Sequence, residues 1–385
     1  MTDMRHCVQV NMQKHFGGGE VYTAFLTRAL LANGWKVTLF CHRQADFWGK
    51  LDLGNAELRA VDDGAEIQAA LPEGPAVLLF HGPPARNLEL PPGYQVVSIA
   101  HMPVYDRKVG GFRHADRVLG VSQHVLDSLL SKDIKHIHAT PLLGVADLRS
   151  SNEAEVVYQN SRFDWDERKV RDRVFSVFEP GLRKLLPSKA FKADAALTLG
   201  IVSRITPIKQ FAKLFQALAP ELAKRPQVRL EIFGAGGYAS IRDLRKALRP
   251  MTQKNPGQVR WWGHQSNVRA VYRQLDFLIT GLPEKEALGL NVLEAQQVGL
   301  PVLAVNAPPF TETVLHEKSG FLYTDPREDN GAHFGAVLDE LLQTSFVMDD
   351  AALVSHREQF TLDAFSKRMD TVLDDLWQEC LLAGK

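Results

Sequence analysis

Short apolar runs alternate along the chain with stretches in which apolar residues return every three or four positions. The runs at 6–10, 76–80, 96–100, 196–203 and 228–233 are nearly uninterrupted, the pattern of strands buried on both faces of a sheet. Helical spacing follows the glycines at 17–19 and ends near Asn33, where Gly34 stops it. Another helix is expected to begin near Gln210, and a third to fill 290–298 with Gly289 as its N-cap. Strand and helix alternate over 6–141 and again over 197–323, which predicts two α/β units, each a doubly wound parallel sheet covered on both faces. The alternation breaks over 148–193, a charged stretch longer than a simple connector. Beyond Pro326 the pattern is helical, at 333–342, 351–357 and 362–377. The expected organisation is a first domain at 1–190 that includes the 148–190 connector, a second at 191–361, and a terminal helical segment at 362–385.

Composition narrows the function classes. A chain of 385 residues with 45% apolar content can bury two cores. Its formal net charge is zero, which argues against nucleic acid as partner, as does the lack of a recognisable nucleic-acid module. The balance hides an asymmetry: 193–285 holds 15 Lys and Arg against 6 Asp and Glu, whereas 286–385 holds 6 against 17. Both stretches are expected in one domain, so the excesses should occupy separate faces. Cys7, Cys41 and Cys380 share no metal-ligand spacing, and the first two fall in apolar strands as small buried hydrophobes. The opening residues lack the apolar core of a signal peptide, and no run reaches the ~18 apolar residues of a membrane span. These features fit a soluble protein of a reducing cytosol.

Candidate chemistry gathers at strand ends. Glu286 precedes the helix behind Gly289, and Glu294 lies within it. The unpaired N–H groups of Gly289, Leu290 and Asn291 would point out of the helix tip, where the dipole favours an anion. An anion cradle flanked by two acids suits a nucleotide diphosphate-sugar, with phosphate on the amides and sugar hydroxyls on the carboxylates. The competing explanation is an ordinary α/β helix that happens to carry two glutamates. Arg204 and Lys209 follow the 196–203 strand; two cations there suit a diphosphate, though a solvated basic loop is the plainer alternative. The strand at 228–233 runs into Gly234, Gly236 and Gly237. A dinucleotide site would need an acid roughly 20 residues on, yet no Asp or Glu occurs between Asp243 and Asp276. Three glycines at 17–19, including Gly18 and Gly19, exceed what a tight turn needs and allow close approach to a ligand. His81 and His101 each follow a strand, the place where open parallel sheets collect functional groups. Asp106 lies near enough in sequence to be an acceptor contact.

Glu286, Gly289, Leu290 and Glu294, followed by Ala295, Gly299 and Pro301, resemble the E-x7-E signature of glycosyltransferase family 4. The resemblance implies a GT-B fold with two Rossmann-like domains facing a central cleft, and a retaining, metal-independent hexosyltransferase. It implies that Glu286 contacts the donor sugar, Glu294 the ribose, and the amides of Gly289, Leu290 and Asn291 the donor phosphates. Arg204 and Lys209 would neutralise the leaving diphosphate, Gly234 and Gly236 line the nucleotide pocket, and Gly18 and Gly19 face the diphosphate from the first domain. His101 would reach the donor sugar, with His81 the weaker candidate, and the terminal helix would cross back to the first domain. The chain departs from the family at Thr280 and Gly281, where Pro-Ser is usual, and at Gln210, where Gly is usual. The implied reaction moves a hexosyl unit from a UDP- or GDP-sugar to a glycan or lipid-linked acceptor in glycoconjugate or cell-surface polysaccharide synthesis. A sugar-nucleotide epimerase, a sugar phosphorylase and a non-catalytic sugar-nucleotide-binding subunit are the other readings of the same architecture.

Three motifs point elsewhere. Asp164-Trp165-Asp166 is an Asp-x-Asp, which in another glycosyltransferase fold holds a divalent ion on the diphosphate; no apolar strand precedes it to present it, and the charged surface of a helix is the plainer explanation. His136 and His138 alternate as on a strand without a third ligand. The basic, aromatic-containing stretch at 162–192 suits either an anionic membrane surface next to a lipid-linked acceptor or an interdomain helix.

Overall fold

The computed structural model describes residues 4–85, 88–105, 109–146, 148, 156–165, 172–174, 176–178 and 189–383. The chain forms two compact units, Met1–Asp147 with Glu358–Lys385, and Leu148–Arg357.

The first unit is built on β1 (His6–Asn11), β2 (Lys36–His42), β3 (Glu57–Val61), β4 (Ala76–Phe80), β5 (Tyr94–Ala100) and β6 (Arg117–Gly120). All pair in parallel in the order β3-β2-β1-β4-β5-β6. Winding therefore reverses between β1 and β4. Helices α1 (Gly18–Ala32), α2 (Gly64–Ala69) and α3 (Gln123–Leu130) connect the strands. Cys7 and Cys41 are buried in β1 and β2 as small apolar fillers.

The second unit repeats the plan with β7 (Leu197–Val202), β8 (Val228–Phe233), β9 (Val259–Gly263), β10 (Phe277–Ile279), β11 (Val302–Val305) and β12 (Gly320–Tyr323). Its parallel order is β12-β11-β10-β7-β8-β9, with the reversal between β7 and β10. The helices are α4 (Phe211–Ala223), α5 (Tyr238–Ala247), α6 (Arg249–Lys254), α7 (Val268–Tyr272), α8 (Leu290–Gln297), α9 (Phe310–Thr313), α10 (Pro326–Asp329), α11 (Ala332–Gln343) and α12 (Asp350–Glu358). Alternate residues of one strand serve opposite cores. Leu303 and Val305 of β11 join Leu214, Phe215 and Phe334, whereas Val302 and Ala304 join Val292, Phe310 and Tyr272.

Two organisational expectations change. The 148–190 connector was expected to close the first unit, but the fold groups the chain from Leu148 onward with the second. Val157 and Phe191 are buried against Phe233 and Trp262, and Asn160 donates its backbone N–H to the Trp262 carbonyl at 2.7 Å. Apolar side chains inside that charged stretch had a core to fill, and β8 and β9 supplied it. The acid excess of 286–385 is likewise divided between units, because the chain returns to the first unit from Glu358. Helix α13 (Leu362–Ala383) packs on α1, β4 and β5. Trp35 meets Trp377 edge-on at 6.0 Å and Tyr22 meets Phe365 at 5.4 Å. Arg5 pairs with Asp370 and Asp374, and Arg117 with Glu379. Acids of α13 are thus partners for cations of the first unit. Among the described residues no helix is long and apolar enough to cross a membrane.

Candidate functional site

Ligands of doubly wound sheets bind beyond the carboxyl ends of the strands, where winding reverses. In the second unit that place lies between β7 and β10, and the loops leaving these strands carry Lys209 and Glu286. The two side chains form an ion pair, both largely buried, with side-chain exposures of 25% and 14%. Glu286 also accepts from the Ala287 N–H at 3.2 Å. Lys209 is reached through a turn closed by its own N–H on the Thr206 carbonyl, and Gln210 then takes a left-handed conformation at φ 54° before α4. A glycine would adopt that φ without steric cost; here the Gln210 amide donates to Glu284 at 3.0 Å.

The loop from β10 is moulded on this turn. An ideal Cβ on Gly281 would lie 2.1 Å from the Lys209 carbonyl oxygen, and the Leu282 N–H donates to that oxygen at 3.3 Å. Glycine at 281 is therefore a requirement of backbone packing against Lys209, which accounts for one departure from the family pattern.

Helix α8 starts at Gly289, left-handed at φ 83°, without a side-chain cap. Asn291 donates to the Val202 carbonyl at the end of β7, 3.4 Å away, tying the helix tip to the strand that leads to Arg204. Leu290 opens the first turn. Glu294 sits one turn further in, accepting from the Tyr272 hydroxyl at 3.0 Å. Burial raises its pKa, with the Tyr272 hydrogen bond and the Lys209 charge pulling the other way. Lys209, Glu286 and Glu294 are thus brought together. Tyr272 is a contact sequence reasoning missed; a phenol at the end of the apolar helix 268–272 calls for a polar partner and was the available signal.

Gly234 and Gly236 have a backbone role that needs no ligand. Ideal Cβ atoms there would fall 1.9 Å from the Ser203 carbonyl oxygen and 2.2 Å from that of Ile205, so the loop after β8 lies directly on the loop after β7. The segment at 161–165 lies along the same loop: Gly236 donates to the Arg162 carbonyl and the Asp164 N–H to the Gly236 carbonyl, both at 3.0 Å. It brings Asp164 within 3.2 Å of Arg204, both side chains more than half exposed, and stacks Phe163 on Trp165 and Tyr238. Arg204 thus pairs with Asp164 while Lys209 pairs with Glu286, and the Asp-x-Asp reading loses its first acid to the pair with Arg204. Asp166 lies outside the described residues. Among those described, no three His, Cys, Asp or Glu side chains converge as a metal site.

The first unit has its own reversal, between β1 and β4, and His81 follows β4 there. His81 Nδ1 lies 2.9 Å from His101 Nε2 beyond β5, and His81 Nε2 lies 2.9 Å from the Gln9 side-chain oxygen on β1. Burial lowers the pKa of both rings, that of His101 to about 4 and that of His81 well below the usual imidazole value, where the neighbouring His101 adds to the effect. Sequence reading ranked His101 above His81; the structure makes the two histidines one hydrogen-bonded unit. Gly18 and Gly19 open α1, and the Gly19 carbonyl accepts from Thr23, which lies 3.1 Å from His81. Asp106 lies outside the described residues. His138 binds the Thr140 N–H at 3.2 Å on an exposed turn after a left-handed His136. Of the 162–192 stretch, 162–165 packs into the second unit as described, and most of the remainder is outside the described residues.

Residues 196–343 match the glycosyl transferases group 1 family. Among curated proteins, a D-inositol 3-phosphate glycosyltransferase of Stackebrandtia nassauensis is 32% identical over 211 residues, 50% of this chain and 45% of that protein. An alpha-monoglucosyldiacylglycerol synthase of Streptococcus pneumoniae is 26% identical over 205 residues, 51% and 44% of the two chains. The matched stretch thus spans less than half the length of either relative. Anabaena Alr3699/HepE, solved with UDP and glucose, superposes with a TM-score of 0.66 at 15% identity, covering 96% of this chain and 100% of that one. A glycosyltransferase from Rickettsia africae gives 0.66 at 16% identity over 98% and 99%. The chain has the GT-B fold of these structures, and residues 196–343 of its second unit match the glycosyl transferases group 1 model.

Proposed function

We propose that the chain is a retaining glycosyltransferase that moves a hexosyl unit from a UDP-sugar to a glycan or lipid-linked acceptor without a metal ion. The observation that carries this is the Lys209–Glu286 pair beside the α8 tip, with Glu294 part-buried one turn in, at the winding reversal of the stretch that matches the group 1 model. UDP is the favoured diphosphate because it accompanies Anabaena Alr3699/HepE and a pneumococcal O-GlcNAc transferase of the same fold. Names of the curated relatives, an inositol-phosphate and a diacylglycerol glycosyltransferase, direct the choice of acceptor classes.

The barrier to such a transfer is departure of the diphosphate from an oxocarbenium-like carbon, so fixed positive groups at the leaving oxygens are the main lever. Lys209, Arg204 and the amides of Gly289, Leu290 and Asn291 have that role here. Glu286 turns to the sugar hydroxyls once the diphosphate engages Lys209, and Glu294 takes the ribose hydroxyls. The acceptor oxygen bonds the anomeric carbon on the face the diphosphate leaves, and its proton passes to a diphosphate oxygen. No side chain forms a covalent intermediate.

A thermal-shift panel of UDP, GDP, UDP-glucose, UDP-N-acetylglucosamine and GDP-mannose tests the donor site, since a ligand of the folded state raises Tm by linkage. UDP and one UDP-sugar should raise it; no response to any of the five would reject the proposal. Lys209→Ala should lower kcat by about 10²–10³, the size of a lost charge-stabilising group, with the fold retained. Transfer should persist in EDTA, and the product anomer, read by NMR, should match that of the donor.

A further inference from the structure

Beside β1, β4 and β5 the first unit holds a run of buried and part-buried polar groups whose proton positions are forced one by one. Thr27 donates its single hydroxyl proton to the Thr23 carbonyl at 2.9 Å. Its oxygen can then only accept, and the partner is the Gln9 amide nitrogen at 2.8 Å. Gln9 must therefore turn its carbonyl oxygen to His81, 2.9 Å from Nε2. That oxygen has no proton to give, so His81 Nε2 carries the hydrogen. A neutral imidazole has one N–H, which leaves His81 Nδ1 as a lone pair.

His101 Nε2 lies 2.9 Å from that lone pair. With its own lone pair there, two acceptors would face each other at 2.9 Å in a part-buried site, so His101 Nε2 must donate. The neighbouring Thr23 hydroxyl does not alter this, because its proton is on the Gly19 carbonyl at 2.8 Å and its oxygen accepts from Asn11 at 2.9 Å. The two rings are nearly parallel, at 16°, and Tyr22 meets His101 edge-on at 5.0 Å, so neither ring is free to turn over. Burial keeps both neutral near pH 7.

We propose that Gln9 and His81 are positioning residues that hold His101 in its Nε2–H tautomer, so that His101 Nδ1 is offered as a hydrogen-bond acceptor to a ligand hydroxyl. Among the hydrogen bonds of the described residues none uses that nitrogen. A phosphate or carbonyl oxygen, having no proton, is repelled there, whereas a hydroxyl is accepted. This deepens the proposed function, because the hydroxyl in question belongs to a sugar.

Long-range ¹H–¹⁵N spectra of the full-length, ligand-free protein labelled at histidine, near pH 7.5, read the tautomers directly, with His101→Asn and the contacts of Ala100 giving the assignment. Both rings should show a protonated Nε2 and an unprotonated Nδ1; a protonated Nδ1 on neutral His101 overturns the proposal. Gln9→Leu should release the lock and give both rings mixed tautomers, and an unchanged spectrum would remove Gln9 from its role. If that variant does not fold, Thr27→Val, which takes away the oxygen orienting Gln9, should act in the same direction. In the transfer assay, with the UDP-sugar that stabilises the protein most, either folded variant should lose about tenfold in kcat, the worth of one hydrogen bond; full activity would break the link to transfer. The spectra need no substrate, so an inactive protein with the stated tautomers rejects the glycosyltransferase reading and leaves the lock in place.

Discussion

Glu294 and the histidine pair share one device, an ionisable side chain placed where water cannot stabilise its charge and given neutral hydrogen-bond partners instead. For Glu294 burial favours the protonated form and Tyr272 and Lys209 oppose it. For His81 and His101 nothing opposes burial, and a third histidine, His6 on β1, is held like His101 at about 4, chiefly by burial and next by Lys36. An unfolded histidine titrates near 6.5. Between pH 6.5 and about 4 the unfolded chain therefore binds more protons than the folded first unit, and stability falls as pH falls. Above 6.5 the three rings are neutral in both states and the loss is absent. Glu20, whose pKa burial raises, works in the opposite sense, since the folded state takes its proton first. Three histidines outweigh one carboxyl: His6 and His101, held at about 4, each contribute a loss of roughly 2 kcal/mol by pH 5, and His81 acts in the same direction. Urea unfolding of the first unit at pH 7.5 and pH 5 should show a clearly lower midpoint at pH 5; an equal or higher midpoint would mean that these rings are not buried neutral.

At the scale of elements, the strands were legible because burial on both faces demands uninterrupted apolar runs. The run at 76–80 matches β4 residue for residue. Gly289 was legible as a cap because its position before an apolar-periodic stretch has a local cause. The connector was not, because its partners, Trp262 and Gly236, lie about 100 and 70 residues away and leave no local mark. Much of the candidate site has the same character: Lys209 meets Glu286 across 77 residues and Tyr272 meets Glu294 across 22. Sequence reading found the two acids and the lysine but could not see that β7 and β10 deliver two of them as an ion pair. Gly281 shows how tightly the loops are matched. In Gly281→Ser the new Cβ collides with the Lys209 carbonyl oxygen, so the loop must move and carry Lys209 with it. Overpacking of this kind costs about 1–3 kcal/mol. The variant should melt lower and lose most of its thermal response to UDP. A variant as stable and as responsive as the parent would show that the loop after β10 does not place Lys209.

The chain as a whole leaves its first unit at Asp147 and re-enters it from Glu358, so that unit is completed only by the last residues. Helix α13 supplies Phe365, Met369, Val372, Leu373, Leu376 and Trp377 to the interior, all 3% exposed or less. Each such side chain is worth about 1.5–3 kcal/mol when fully buried, so together they match or exceed the 5–15 kcal/mol that holds an ordinary domain folded. The second unit has no such debt, for its two cores draw entirely on residues between Leu148 and Phe346. Truncation after Arg357 should therefore unfold the first unit and spare the second. Calorimetry of the full chain should resolve transitions of both, and the truncated protein should keep one, at the second unit's temperature. Lys209, Arg204, Glu286, Glu294 and the α8 tip all belong to the unit that survives, so that transition should still rise with UDP. If the truncated protein keeps both transitions, α13 is an accessory of the first unit rather than part of its core. If its single transition no longer responds to UDP, the diphosphate needs groups outside the second unit, and the division of labour argued for Lys209 and the α8 tip fails.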